Sequence, residues 1–514
     1  MADVPQAVGS AGAGPPGELV KGLNLFDSTM IVVGSMVGSG IFIVSADIAH
    51  QVKSPGLLLL VWVASGVMTL IGALSFGELA AAMPHAGGQY IYLRESLGPV
   101  WGFLYGWAML LVIQTGTIAA VAIAFAKFTG VIAPWFSASH WILKLGTFGP
   151  WNLWFGQLGP YNVGLNRQNL LAILSILLLT WINTRGLRLG KIVQNVFTVT
   201  KTISLAGLVI LGLLFATGLA LSANFTEFWR NAGWSVIHPY PPDNPTWMIG
   251  TITLVGVAMV GSLFSMDAWT SVTFTAAEVK NPGRNLPLSL ALGTGIVILL
   301  YTLANVAYLR VLPLSGDPQG ATALARGIEF AADGRVATAM TQVIFGPAGA
   351  ILMALAILIS TFGCNNGLIL SGARIYYAMA KDGLFFRSVG TVNRNHVPAV
   401  ALVAQCAWAS VLCLSGTYGQ LLDFLIFAQV LFYILALGGL FLLRAKRPDL
   451  NRPYRALGYP FLPALYLAMA AFLEIQLLRY KPQYTWPGLI IVLLGLPVYG
   501  VWKLADKKTA RVQQ

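Results

Sequence analysis

The sequence predicts an all-α integral membrane protein of twelve transmembrane helices, with the first and the sixth interrupted midway. Three observations lead there. Of 514 residues, 57% are hydrophobic and 10% charged, and the mean hydropathy is +0.73, a balance foreign to soluble chains of this length. The apolar residues fall into twelve runs, most of them near the twenty residues that cross a bilayer as a helix. Two of these runs carry a polar, glycine-bearing stretch at mid-length, where hydrocarbon penalises any unpaired backbone group.

In chain order the runs cover 26–50, 56–83, 98–125, 169–183, 192–217, 246–275, 288–311, 341–380, 398–414, 420–443, 459–478 and 487–504. The eighth is too long for one crossing and is expected to project into the cytoplasm. An even count places both termini on one side. With the amino terminus inside, 20 of the 31 Lys and Arg are cytoplasmic, 10 are external and Lys201 lies within a span. That excess predicts both termini in the cytoplasm. The first seventeen residues are rich in Ala, Gly and Pro and lack the basic start and apolar core of a signal peptide. Residues 1–25 therefore read as a disordered tail, and 505–514 as a second, shorter tail.

The first span holds Gly34, Ser35, Met36, Val37, Gly38, Ser39 and Gly40. Glycine costs about 1 kcal/mol against alanine inside a helix. An unwound turn here would present the amides of Gly38, Ser39 and Gly40 at a helix start, which suits a carboxylate. The carbonyls around Ser35 and Met36 would suit an ammonium. An amino acid carries both groups. Close helix packing through small residues is the competing reading.

The polar interlude 87–97 between the second and third spans reads as a brief amphipathic helix along the cytoplasmic face. The loop 134–168 is external and carries Trp135, Trp141, Trp151 and Trp154. It reads as an interfacial tryptophan belt, with a carbohydrate or partner site as the alternative. In the fifth span Lys201 sits too deep to snorkel, so it either pairs or gives up its proton. The sixth span holds Gly261, Ser262, Phe264, Ser265, Asp267 and Trp269. An aspartate there costs at least about 2.5 kcal/mol on insertion scales and must face a cavity, a partner or a break. The motif Val33-Gly34-Ser35 is echoed by Val260-Gly261-Ser262. Five spans separate the two, so a five-span repeat must be inverted, and paired breaks in inverted halves point to a transporter's binding site. The loop with Arg444, Lys446, Arg447, Arg452 and Arg455 reads as a topology anchor or, alternatively, a lipid-headgroup site.

Other classes are disfavoured. The net charge of +13 is dispersed over short loops rather than gathered in a stripe, so nucleic-acid binding is not expected. Cys364, Cys406 and Cys413 lie within or beside spans, without a disulfide or CxxC metal pattern. Five histidines near span ends, with no HExxH or nucleophile elbow, speak against an enzyme. No cofactor or metal is expected. A channel would need a polar ring along a pore, whereas the oddities here concentrate in two breaks and one lysine.

Taken together these residues resemble the amino acid–polyamine–organocation superfamily, and within it the L-type amino acid transporters. The carriers of the resemblance are 34–40 with Ile41 and Phe42, Gly77-Glu78-Leu79 with Pro84, Gly87 and Gly88, and the sequence from Phe264 to Trp269. To these are added Glu278, Asn281-Pro282 and Arg284 to Pro287, then Asn366, Gly367, Ser371, Arg374, Asp382 and Gly383. Arg447-Pro448-Asp449 with Arg452-Pro453 completes the set.

The resemblance implies a LeuT-like fold: inverted five-helix repeats over 26–217 and 246–443, then two helices over 456–504. It implies amino acid transport across the plasma membrane by alternating access. Carried over, the substrate carboxylate falls to Gly38, Ser39 and Gly40, and the ammonium to carbonyls near Met36 and Phe264. Phe264 also corresponds to a gating aromatic, and Gln429 to a side-chain pocket. Ser35, Ser265 and Asp267 complete the expected site. Lys201 corresponds to a lysine that stands where sodium-driven relatives bind an ion. The implied protein is a sodium-independent exchanger of neutral L-amino acids. Alternatives are a proton-coupled symporter and a carrier of cationic amino acids or polyamines. Relatives that pair with a single-span glycoprotein use a cysteine in the loop between the third and fourth helices. The loop 134–168 has none, so no disulfide-linked heavy chain is expected.

Overall fold

The computed structural model describes residues 19–154, 156–158, 160–229, 247–415, 418–480 and 482–512. Most of the expected amino-terminal tail, residues 1–18, lies outside them, as do residue 246 of the sixth run and the last two residues. Among the described residues, eight helices are long and apolar enough to cross a membrane, or nine with one bent pair counted as a span.

The bent pair is α1 (Leu25–Met36) and α2 (Gly40–Val52), which meet at 41°. An asparagine starts α1: Asn24 caps the Asp27 amide, and the Asp27 carboxylate accepts from the Asn24 amide in return. Then follow α3 (Pro55–Ala82), the short α4 (Gln89–Leu97) and α5 (Pro99–Ile132), which contains a π-helical turn at Met109–Ile113. Two antiparallel pairs come next, β1 (Trp141–Phe148) with β4 (Tyr161–Asn166) and β2 (Trp151–Leu153) with β3 (Gly156–Leu158). Helices α6 (Arg167–Thr184) and α7 (Leu187–Leu214) close the first half.

The second half comprises α8 (Trp247–Ser265), α9 (Pro282–Val311), α10 (Val336–Phe345), α11 (Pro347–Lys381), α12 (Ala399–Ser415) and α13 (Tyr418–Lys446). Two more follow, α14 (Phe461–Tyr480) and α15 (Pro482–Val512). Each predicted apolar run is mainly helical where it is described, apart from the breaks in the first and sixth, with ends shifted by up to eight residues. The over-long eighth run divides at Gly346 (φ +65°), between α10 and α11. From Ser360 to Ala380, α11 is buried apart from Phe362, so its extra length is spent inside the protein.

The interlude 87–97 forms a helix as expected but does not lie along a surface. Tyr90, Ile91, Tyr92 and Leu93 of α4 are buried, and Tyr92 meets Phe76 edge-on at 6.1 Å. Its alternating aromatic and aliphatic residues are buried, leaving only Arg94, Glu95 and Leu97 partly exposed.

Candidate functional site

The break in the first span lies where the glycines and serines put it. Helix α1 stops at Met36 and α2 starts at Gly40, with Ser39 as its cap residue. Three neighbouring helices hold the carbonyls freed by the break. From α7, the Lys201 Nζ donates to the carbonyls of Gly34 (2.5 Å) and Val37 (2.6 Å), and to that of Ser360 on α11 (3.4 Å). From α11, the Ser360 hydroxyl donates to Val37 (3.1 Å) and Gly38 (3.0 Å), and the Cys364 thiol to Ser35 (3.1 Å). From α9, the Tyr301 hydroxyl donates to Met36 (3.1 Å), whose carbonyl also takes the Gly38 amide (2.9 Å).

Lys201 is 1% exposed. Its ammonium thus ties α1 to α11 at the break. Of the two outcomes expected for so deep a lysine, pairing is met by backbone carbonyls and not by Asp267, whose carboxylate accepts from the Tyr433 hydroxyl at 2.6 Å.

The second break also forms. Helix α8 ends at Ser265, residues 266–270 leave the helix, Ala268 adopts φ +66°, and a short helix Ser271–Phe274 resumes. The two breaks abut. A Cβ on Gly40 would lie 2.2 Å from the Ser265 hydroxyl oxygen, so only glycine permits this approach. At Gly34 the close-packing reading holds, since a Cβ would meet the Gln194 amide nitrogen on α7 at 1.9 Å. Ser35 also turns away from the break, and its hydroxyl lies against Gly367 of α11. Phe264 is half-buried and packs on the core.

Asp267 and Gln429 share a cavity of about 20 Å³ with Thr69, Trp269, Tyr433 and Tyr466. The Gln429 carbonyl oxygen is buried with no hydrogen-bond partner among the described residues. Such a volume holds about one water and no amino acid, so a ligand enters only if the surrounding helices move. Sequence reasoning missed Ser360, Cys364, Tyr301 and Tyr433 as single residues. Only Tyr433 left a signal, because it stands four residues after Gln429 on the same helical face.

Compared with known proteins, residues 23–497 match the amino acid permease family. The chain belongs to that family. It is 29% identical to the large neutral amino acids transporter small subunit 2 of Mus musculus over 496 residues, 96% of this chain and 83% of the relative. It is 30% identical to the b(0,+)-type amino acid transporter 1 of Homo sapiens over 484 residues, 93% and 86% of the two chains. It is 26% identical to the Asc-type amino acid transporter 1 of Mus musculus, over 94% of this chain and 81% of that one. The protein is therefore a multi-pass membrane permease of the L-type kind and not an enzyme.

In this permease the charged motif residues find one another. Glu278 and Arg374 form a two-pronged ion pair at 2.8 and 2.9 Å, both essentially inaccessible. Glu78 is held by Arg444 (2.9 and 2.5 Å), by Arg452 (3.3 Å) and by the Ala456 amide (2.7 Å). Asp382 takes the Tyr90 hydroxyl at 2.7 Å and pairs with Arg94. Two arginines of the basic loop thus lock a buried glutamate, a role that neither the topology-anchor nor the lipid-headgroup reading had given them. Spacing could not show this, because 366 residues separate Glu78 from Arg444.

Proposed function

We propose that this permease carries amino acids across the plasma membrane by alternating access, as a sodium-independent exchanger of neutral L-amino acids. Twelve helices would form LeuT-like inverted repeats over 26–217 and 246–443, followed by two helices over 456–504, with both termini cytoplasmic. The reading rests on the Lys201 ammonium bonded to carbonyls on both α1 and α11. A fixed positive charge at that junction supplies permanently what a bound cation would otherwise supply, so no sodium gradient is required. The names of the relatives, large neutral amino acids among them, support the substrate class.

The substrate carboxylate would meet the start of α2, at the amides of Gly38, Ser39 and Gly40, where the helix end carries partial positive charge. This requires the Gly38 amide to leave its present acceptor, the Met36 carbonyl. A carbonyl has two lone pairs, and Met36 uses both on Gly38 and Tyr301. Once the Gly38 amide turns to the carboxylate, the lone pair it leaves on Met36 would take the ammonium together with the Phe264 carbonyl. Ser265 packs beside it, and Asp267 and Gln429 would line the side-chain pocket. That buried acid beside an unpartnered amide favours one second reading, a cationic side chain as substrate. No disulfide-linked heavy chain is included in the proposal.

The test is uptake by purified protein in vesicles, with and without internal amino acid, in sodium-free buffer. Exchange predicts uptake only into loaded vesicles. Competition by leucine against arginine separates the two substrate readings, and equal uptake into empty vesicles would remove the exchanger.

Gly38 gives a sharper probe than its neighbours. A Cβ there meets only the Cys364 sulfur at 3.3 Å. Gly38→Val should fold and yet block backbone approach to the ligand, abolishing substrate binding in a calorimetric titration. Ser39→Ala should bind almost normally, since the contact is made by backbone. Wild-type affinity in Gly38→Val would refute the carboxylate assignment.

Phe264→Ala tests the gate. If the ring closes over bound substrate, turnover should fall sharply while affinity falls less, because closure commits the substrate to the cycle. Unchanged turnover would return Phe264 to ordinary packing.

A further inference from the structure

The segment between α5 and α6 is a β-hairpin, and it belongs to neither break. Its base is fixed directly on the ends of two helices. Asn166 is both the last residue of β4 and the cap of α6, accepting from the Asn169 amide at 2.7 Å. The Arg167 amide donates to the His140 carbonyl at 3.0 Å, and its guanidinium covers the Trp135 ring at 4.3 Å. At the far end, Trp154 meets Trp486 in the first turns of α15, with ring centroids 4.6 Å apart. Strand β4 also touches α12, and β3 touches α15. Eight residues of β1 span about 27 Å. A ribbon of that length anchored on helix ends at both base and tip cannot stand away from the bundle. It lies against the helix ends to which it is anchored.

The surface it presents is apolar. Ile142, Leu143, Leu145, Phe148, Trp151 and Trp154 are each between 48% and 74% exposed. Large exposed apolar side chains gathered on one short segment mark an interaction site. Charge identifies the occupant. Between Pro134 and Asn166 there is no acidic residue; the one fixed charge is Lys144, and Arg167 follows. The backbone adds a depth limit. Each described sheet has two strands, so each strand has an outer edge unpaired within its sheet. Such edges are tolerated where headgroups and water reach them but not in hydrocarbon. Tryptophan prefers the same layer.

We infer that the hairpin is a membrane-surface foot, lying in the headgroup layer of the leaflet on its own side, with its apolar side chains against lipid and Lys144 toward anionic headgroups. The role is independent of the substrate site.

The experiment places a fluorescent bimane on Leu145→Cys in the full chain; the three native cysteines are buried and do not compete. The protein is reconstituted in phosphatidylcholine vesicles containing phosphatidylglycerol, with or without lipid spin-labelled at the headgroup. The spin label should remove most of the fluorescence, and aqueous iodide should remove little. Withdrawing phosphatidylglycerol should weaken quenching by the spin label, and Lys144→Gln should abolish that dependence. Thr147→Cys, exposed on the same strand, repeats the measurement should Leu145→Cys not fold. Strong iodide quenching without lipid quenching would put the hairpin in water and overturn the proposal. Shielding from both quenchers would mean that protein, a second copy or a partner chain, covers it, and would overturn it equally.

Discussion

Lys201→Ala should leave a folded permease that turns over at least about tenfold more slowly, equivalent to about 1.4 kcal/mol on the limiting barrier. The variant removes three charge-assisted hydrogen bonds, to Gly34, Val37 and Ser360. Each bond of this type contributes about 1.5–3 kcal/mol net. Relaxation offsets part of the loss, because the Ser360 hydroxyl still reaches Val37 and Gly38. What has no substitute is the positive charge between α1 and α11, since the links that remain there, from Ser360 and Cys364, are neutral. Without it, the two helices lose the charge that biases them between conformations, so the defect belongs in rate more than in stability. The measurement is exchange in loaded vesicles, beside the melting temperature of the purified protein. Wild-type exchange by Lys201→Ala would dismiss the cation-surrogate role, and so would a strict sodium requirement in the wild type. Proton-driven uptake into empty vesicles would overturn only the choice of exchanger.

The second large effect is on stability. Arg374→Ala should destabilise the protein by about 3–5 kcal/mol, the cost of stranding one partner of a buried ion pair. Glu278 and Arg374 are at most 1% exposed. The Glu278 backbone carbonyl also accepts the amides of Gly22 and Leu23, both at 2.9 Å, and the Lys280 amide donates to Leu23 at 2.8 Å. The pair thus fastens α11 to the place where the chain entering the first break crosses the chain leaving the second. Replacing both partners, Glu278→Leu with Arg374→Met, should recover much of the loss, because no buried charge remains unpaired. Thermal unfolding in detergent reads both variants. An unchanged midpoint in Arg374→Ala would show the pair to be dispensable.

Legibility in the sequence followed the range of the interaction. Hydropathy is a local average, so the apolar runs and their rough ends were readable without neighbours. Glycines and serines weaken a helix where they stand, so both breaks could be located to within a residue or two. The short helix 89–97 was readable as a helix, yet its burial was not. Tyr90 and Tyr92 look amphipathic until Phe76 and the rest of the bundle close around them. The loop 134–168 showed its tryptophans but not its hairpin, whose register depends on cross-strand pairs such as Leu143 with Leu165.

By itself the sequence determined the membrane class, the helical runs, the two interrupted spans and the family motifs, because each rests on residue type and spacing along one chain. Only the tertiary structure decided partners. It set Lys201 on three carbonyls rather than on Asp267, and gave Asp267 to Tyr433. It also turned basic-loop arginines onto Glu78. A buried charge must be compensated, which the sequence shows; which group compensates it depends on helices hundreds of residues apart coming within about 3 Å.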